Sequence, residues 1–396
     1  MTASVLRHTQ DVPKIELSYH WGPETQDPSS TDGTAQRQQA LLRNPLMDLL
    51  QAVKEYGSIA SAAKSTGMSY RHVWGELKKW EVRLNQNLIV WEKGMPAELS
   101  EFASKLLWAE RQAQARLAAP IESLLSELER TFSVAFDPMA HVLSLYASHD
   151  DALVRLREVA SRQALHLDVR FCGSVDAIRA LNEGRCEIAG FHTRSMPCAD
   201  SLAAQTYKSL LKPGRHKLIA FAIRTQGLLV PRGNPMALKS LGDVVSRKAR
   251  YVNRELGTGT RLLLDDLLNE QNIAAELLYG YQTLEPSHAA VATAIASGKA
   301  DTGLAIESAA LAAGLDFIPL VTEKYWLACL KTALDTPAVL ALRELLSSQD
   351  WQATLDAMLG YKVNQTGQVQ SLSRELPWWQ LKPRQTAKTA KTAKAV

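Results

Sequence analysis

The residues most suited to binding chemistry are Gly257-Thr258-Gly259-Thr260. Tyr251-Val252-Asn253 reads as a strand and residues 260–271 as a helix, so the four lie where a strand ends and a helix begins. Free backbone amides, two hydroxyls and the helix dipole converge there, which suits an anion. Arg254 and Arg261 flank the turn with fixed positive charge, while Asp265 and Asp266 read as surface charge on the helix. The alternatives are that the turn is a plain N-cap and that Arg261 pairs with an acid. Ser148, Ser174 and Ser287 stand at comparable junctions, where ligands of open α/β sheets gather. A second chemistry is written in residues 57–81, GSIASAAKSTGMSYRHVWGELKKWE. Ser58 caps a short helix with a small-residue face (Ala60, Ala62, Ala63), Gly67 ends it, and Ser69 caps a second helix. Val73, Leu77 and Trp80 form its inward stripe, leaving Tyr70, Arg71, His72 and Lys78 at its start or outer face. This is a helix-turn-helix arrangement, whose second helix fits the DNA major groove.

The elements that must position these groups follow in order. Leu46, Leu49, Leu50 and Val53 mark an amphipathic helix upstream of the pair. Downstream, Leu88–Trp91 reads as a strand and 92–96 as a turn, giving three helices and a hairpin, a winged helix with Lys93 at the wing tip. From Phe102 through Leu106, Leu107, Ala113, Leu117, Ile121, Leu124, Leu125 and Leu128 runs one long helical stripe, interrupted at Pro120. Its simplest partner is a second copy, the alternative being that it packs on its own chain. Residues 141–192 alternate β-α-β-α-β, and a second such set begins near Gly227, with further strands at 317–320 and 325–330. Two α/β lobes joined by crossing strands result. The fold expected is therefore multidomain: an α+β winged helix-turn-helix (41–100), a linker and dimerisation helix (101–136) and a bilobal α/β domain (137–370). A flexible extension (1–40) and a basic tail (371–396) flank them.

Residues 45–110 resemble the DNA-binding domain of the molybdate-responsive ModE regulators, themselves similar to the LysR-type winged helix. The segment 57–81 follows the ModE pattern closely, although Glu98-Leu99-Ser100 stands where Leu-Thr is typical of the wing. Residues 141–367 resemble the molybdate/tungstate-binding-protein-like domain, of periplasmic-binding-protein type 2, that is fused to such modules. The likeness rests on Ser148-His149-Asp150, Cys172-Gly173-Ser174-Val175, Ala189-Gly190-Phe191-His192, residues 253–261, Ser287–Ala292, Gly360-Tyr361 and Thr366-Gly367. The resemblance implies a cleft that closes on molybdate or tungstate through Ser148, His149, Ser174, His192, Arg254, Thr258, Gly259, Thr260, Arg261, Ser287 and His288. The three histidines could equally hold loops by hydrogen bonds. They would suggest a metal only if they converged, and their placement on separate motifs argues against it.

The chain of 396 residues carries a net charge of +4, but the last stretch alone holds Lys382, Arg384, Lys388, Lys391 and Lys394 with no acid. Everything before that tail therefore sums to about −1. Cys172, Cys186, Cys198 and Cys329 show no metal or redox spacing, so reduced thiols are expected. No apolar run is long enough to span a bilayer, and the first residues lack a secretion-signal pattern, so a cytoplasmic protein is expected. No phosphate loop, GxSxG, HExxH or dinucleotide fingerprint is present, and no cofactor is expected. The expectation is a non-enzymatic, one-component transcription regulator, binding operator DNA as a homodimer or a pair of dimers and sensing molybdate or tungstate. Three rivals remain: a regulator of another small anion (formate, another carboxylate or sulfate), a cytoplasmic oxyanion-storage or delivery protein whose winged helix only dimerises, and, weakest, an enzyme for which no nucleophile or base can be named. Arg254, pointed into the cleft, would favour a carboxylate, because a guanidinium matches its planar pair of oxygens.

Overall fold

The computed structural model describes residues 44–91, 96–136 and 141–379. The chain divides into two compact units, residues 1–104 and 105–396. The expected strand at 14–19, the linker at 22–38, the wing tip with Lys93 and the basic tail lie outside the described residues.

The first unit is assembled by local capping rules. Helix α1 (Pro45–Tyr56) starts at Asn44, whose side chain accepts the Leu46 amide at 3.0 Å, and stops at Gly57 in the left-handed conformation. Helix α2 (Ile59–Thr66) runs from the Ser58 cap to Gly67, φ 70°, and α3 (Tyr70–Leu84) from the Ser69 cap to Asn85. A short antiparallel pair follows, β1 (Ile89–Val90) with β2 (Glu98–Leu99). Leu46, Leu49, Leu50, Val53, Ile59, Ala62, Ala63, Val73 and Leu77 form its core. One expected core residue differs. Trp80 is only half-buried, with the Arg83 guanidinium 5.1 Å from its ring, and Glu81 takes the inward place. The Glu81 carboxylate accepts the Leu88 and Ile89 amides (2.8 and 3.3 Å) and the Lys78 ammonium (2.6 Å), pinning α3 to β1.

The second unit opens with α4 (Glu101–Phe136), which begins at the end of the first. Then come β3 (His141–Ala147), α5 (Asp151–Ser161), β4 (Leu165–Phe171), α6 (Ser174–Asn182), β5 (Ile188–Arg194), α7 (Leu202–Leu210) and β6 (His216–Val230). The chain continues through α8 (Leu241–Ser246), β7 (Tyr251–Arg254), α9 (Gly259–Glu270), β8 (Leu284–Glu285), α10 (His288–Ala296), β9 (Thr302–Ile306), α11 (Glu307–Ala312) and β10 (Asp316–Leu330). It closes with α12 (Pro337–Ser347), α13 (Gln349–Ala357), β11 (Tyr361–Lys362), β12 (Val369–Ser371) and α14 (Leu372–Glu375). The strands form one mixed sheet in the order β4-β3-β5-β10-β6-β9-β7-β8, with β11 and β12 paired to β6.

The spine of this sheet is the antiparallel pair β6–β10. One half of β10 also pairs β5, and the opposite half of β6 also pairs β9, so the two strands belong to both lobes. Each is a single strand of 15 residues, where the sequence reading had β6 beginning near Gly227 and β10 as two pieces. The apparent breaks are accommodated rather than obeyed. Pro319 sits at a register shift, where a missing N–H costs no ladder bond, and a Cβ on Gly227 would lie 2.1 Å from the Ile318 carbonyl oxygen. The first lobe packs Leu143, Leu145, Val169, Ile188 and Phe221 with Trp351 on one face and Ala177, Ile178, Phe191 and Tyr207 on the other. The second packs Leu228, Tyr251, Leu264, Leu268 and Leu304. Helix α4 lays Gln112, Ala115, Glu122 and Ser126 inward on this unit, while Leu117 and Leu124 of its apolar stripe are exposed.

Burial pushes the Glu81 carboxyl up, but the Lys78 contact and the two amides outweigh that and hold it below the ordinary value of 4.5. Its contribution is therefore present above that value and lost as pH falls below it. Glu81→Ala should cost the N-terminal unit about 2 kcal/mol, because two amides lose their acceptor. Hydrogen exchange at Leu88 and Ile89 checks this, and unchanged protection there refutes it.

Candidate functional site

The junctions after β3, β4, β7 and β8 meet between the two lobes. A Cβ built on Gly173 would lie 2.8 Å from the Gly257 carbonyl oxygen, and one on Gly259 would lie 3.4 Å from both the Ser174 Oγ and the His192 Cβ. The Val175 amide reaches the Gly257 carbonyl at 3.4 Å. Side chains add two further links. Asp266 on α9 accepts the Leu202 and Ala203 amides (2.6 and 3.3 Å), capping α7 of the other lobe, and Arg194 pairs with Glu270. Asp266 was expected to be surface charge on its helix; it is 3% exposed.

Arg254 dominates the electrostatics of this junction. It ends β7 at 2% exposure, and its Nε and Nη1 have no hydrogen-bond partner among the described residues. Burial and the nearby charge of Arg224 pull its guanidinium down to about 10, still fully charged at neutral pH. His192 is buried with both ring nitrogens unpartnered and its ring centroid 3.9 Å from that of Tyr325. His288 opens α10 with Nδ1 unpartnered, and His149 lies against Phe171 at 4.7 Å. Burial pushes all three histidines down, and Arg254 adds to it. They are neutral at pH 7, each with one N–H to donate. His149, His192, Arg224 and Arg254 all bear on His288, so the histidines gather more closely than their separate motifs implied. Among the described residues, however, no His, Cys, Asp or Glu group is arranged to hold a metal ion.

Helix N-termini supply further donors. Helix α9 begins at Gly259; its Arg261 amide bonds the Thr258 Oγ and its Leu262 amide the Thr258 carbonyl, which leaves the amides of Gly259 and Thr260 outside the helical ladder. Helix α6 begins at Ser174 after Gly173, a cap with no side chain to take its amides. Ser174 is fully buried, with its hydroxyl 3.4 Å from that of Ser148. Thr260 accepts from Gln226 at 2.9 Å and keeps its own proton to donate.

Three expected contacts have other partners. Thr258 donates to the Glu255 carbonyl at 2.8 Å while accepting the Arg261 amide, so its hydroxyl shapes the turn. Ser287 caps α10 and donates to the Ala115 carbonyl at 2.9 Å. Arg261 gives its Nε to Asp265 and stacks 4.0 Å from the Tyr281 ring, leaving Nη1 unpartnered.

Behind Arg254 lies a framework of residues that were not singled out from sequence. Arg224 on β6 donates to Asp150 at 2.5 Å and to Glu323 at 3.2 Å, and Gln226 bridges Glu323 (2.8 Å) and Thr260. Burial pushes Asp150 and Glu323 up while the charge of Arg224 works against it. Its signal was an arginine between the two apolar stretches 218–223 and 227–230. Thiol chemistry is absent from this framework, since burial pushes Cys172, Cys186 and Cys329 up to about 12.

In the first unit, Ser69 caps α3 by accepting the His72 amide at 3.2 Å, and Tyr70, Arg71 and His72 are exposed in its first turn. Lys78 is exposed but held by Glu81. Exposed Trp74, one turn beyond Tyr70, was not singled out from sequence.

This geometry, two α/β lobes meeting over buried donors, is that of a two-lobed binding domain, and residues 156–347 match the family model of the PBP superfamily domain. The chain belongs to the family that includes an uncharacterised protein from the 5′ region of a ferredoxin 2Fe-2S gene of Clostridium pasteurianum. The two are 31% identical over 109 residues, 27% of this chain and 96% of that protein. It is also 32% identical over 200 residues to the uncharacterised protein YvgK of Bacillus subtilis (strain 168), a match covering 50% of this chain and 64% of YvgK. Among solved structures it is similar to a phosphate ABC transporter substrate-binding protein of Clostridium perfringens with bound phosphate. That match has 14% identity and a TM-score of 0.45, and covers 57% of this chain and 100% of the other. Among the described residues no helix is long and apolar enough to cross a membrane.

A buried cation without an ion pair weakens the fold. Arg254→Met should therefore raise the thermal stability of the purified protein, on the order of 2 kcal/mol. Differential scanning calorimetry reads this directly; a lower melting temperature would mean that Arg254 holds the fold together.

Proposed function

We propose that this chain is a ligand-responsive transcription regulator whose second unit binds a small oxyanion between its lobes and whose first unit binds operator DNA. The observation that carries the reading is Arg254, a buried guanidinium with two unpartnered nitrogens. The surrounding donors, from neutral histidines, hydroxyls and two helix N-termini, are those an oxyanion accepts. An anion there supplies the missing counter-charge and favours the state in which the lobes meet. Molybdate or tungstate is the effector to which the ModE-like resemblance points. A carboxylate such as formate is the second reading, favoured by Arg254 because its fork matches two coplanar oxygens; sulfate would use the same donors.

The DNA-binding half of the reading is supported by the capped α3, with Tyr70, Arg71 and His72 exposed at its N-terminal turn. The assembly we propose is a cytoplasmic homodimer, or two such dimers. Ala113, Leu117, Ile121, Leu124 and Leu128 recur at seam spacing along α4, opposite the face it buries on its own chain. No catalysis is proposed.

Calorimetric titration of the ligand-stripped protein with molybdate, tungstate, sulfate and formate tests the effector. Micromolar binding of one of them is expected, weakened at least about 100-fold in Arg254→Met, the loss of a charge-assisted pair. Binding that survives Arg254→Met, or no binding to any of the four, sinks the oxyanion reading. Separately, Arg71→Ala should lower affinity for operator fragments about tenfold or more with effector binding unchanged. Retained DNA affinity would remove α3 from the interface.

A further inference from the structure

The two edge strands of the sheet, β4 and β8, belong to different lobes, and α4 grips both. On β4 the Ser126 hydroxyl accepts the Val169 amide at 2.7 Å and donates to the Leu167 carbonyl at 2.9 Å, and the Ser123 hydroxyl accepts the Phe171 amide at 3.0 Å. These hydroxyls stand in for the backbone of a missing neighbouring strand. Glu122 adds an ion pair with Arg157 of α5 at 2.6 Å. On the other edge, Arg116 forks the buried Glu285 carboxylate of β8 through Nε (3.0 Å) and Nη2 (2.8 Å). Ser287 and the Ala290 carbonyl add bonds to Ala115 and Gln112.

Pro120 lies between the two grips. Having no N–H, it leaves the Arg116 carbonyl without its intrahelical partner, so the helix is weakest where the two sets of contacts would pull against each other. The β8 grip also borders the cleft. Glu285 is the register partner of Arg254 across β7–β8, and His288 follows it by three residues.

We propose that α4 is a strap across the two lobes, holding them together through Arg116–Glu285 and Ser123/Ser126, so that displacement of Arg254 or His288 is passed to the linker helix through β8. The identity of what displaces them rests on the function proposed above; the strap itself does not. Opening of the lobes must stretch or bend α4 at Pro120, and release of either grip must loosen the lobe junction on the far side of the cleft.

Hydrogen exchange of the full-length protein, without added anion, tests this. Arg116→Met/Glu285→Met removes the fork without leaving a buried charge unpaired. Exchange should rise about tenfold or more in segment 200–206, whose Leu202 and Ala203 amides are capped across the junction by Asp266. Ser123→Ala/Ser126→Ala should produce the same distant rise from the opposite edge. A response confined to 110–118 and 284–290 in the first variant, or to 121–128 and 165–171 in the second, overturns the strap. Because no anion is present, this outcome is independent of whether molybdate, tungstate, sulfate or formate binds.

Discussion

The pairing of Arg224 with Asp150 and Glu323 is the interaction on which the second unit depends. Arg224 stands on β6 where that strand passes between lobes, Asp150 caps α5, and Glu323 lies on β10 beside it. Gln226 extends the network to Thr260 at the start of α9. One guanidinium thus ties the crossing strands to a helix cap in the first lobe and, through one amide, to the turn that opens α9 in the second. Removing either carboxylate would still leave Arg224 one partner, whereas removing Arg224 would leave two buried carboxylates facing each other without a counter-charge. The pairing also makes Arg254 distinctive: Arg224 is ion-paired within its own fold, whereas Arg254 forms no ion pair among the described residues and feels only the weaker pull of neighbouring Glu255.

Electrostatics and chain direction cooperate around that difference. The histidines near Arg254 are kept neutral by burial and by the cation itself, so they contribute donors without adding charge. Helices α6 and α9 arrive from opposite lobes, and each points its N-terminus toward the junction, where partial positive charge is useful to an anion and costly without one. A two-lobed domain arranged this way gains cohesion from whatever neutralises its centre.

How much of this was legible depended on how local the cause was. Ser58, Gly67 and Ser69 act within a few residues, and the helices they delimit were readable from their neighbours alone. The β6–β10 spine was not, because Gly227 and Pro319 look like strand ends until the pairing partner is known to bulge around them. Among the candidate ligands, residue type identified the junctions, but not the competition for each hydroxyl. Thr258 is committed to Glu255 and Arg261, the plain N-cap alternative that a Gly-Thr turn always offers, and Ser287 adds to its own cap a bond to Ala115 that no local pattern reveals. Asp266 was misread for a related reason: an acid on a helix is solvated by default, and only a helix from the other lobe makes it a cap. Arg224 is the converse, a charge in an apolar strand whose oddity was visible and whose partners, at Asp150 and Glu323, are distant in sequence.

The approach of Gly173 to Gly257 has a further consequence. The lobes touch there backbone to backbone, at a separation that does not admit even a methyl group. Neither surface can yield by rotating a side chain, so the gap behaves as a fixed gauge. Any separation of the lobes parts these two backbones and breaks the Val175 amide contact. A side chain on Gly173 would hold them apart permanently, so the closeness of the two lobes is set at a point where the protein presents no side chain at all.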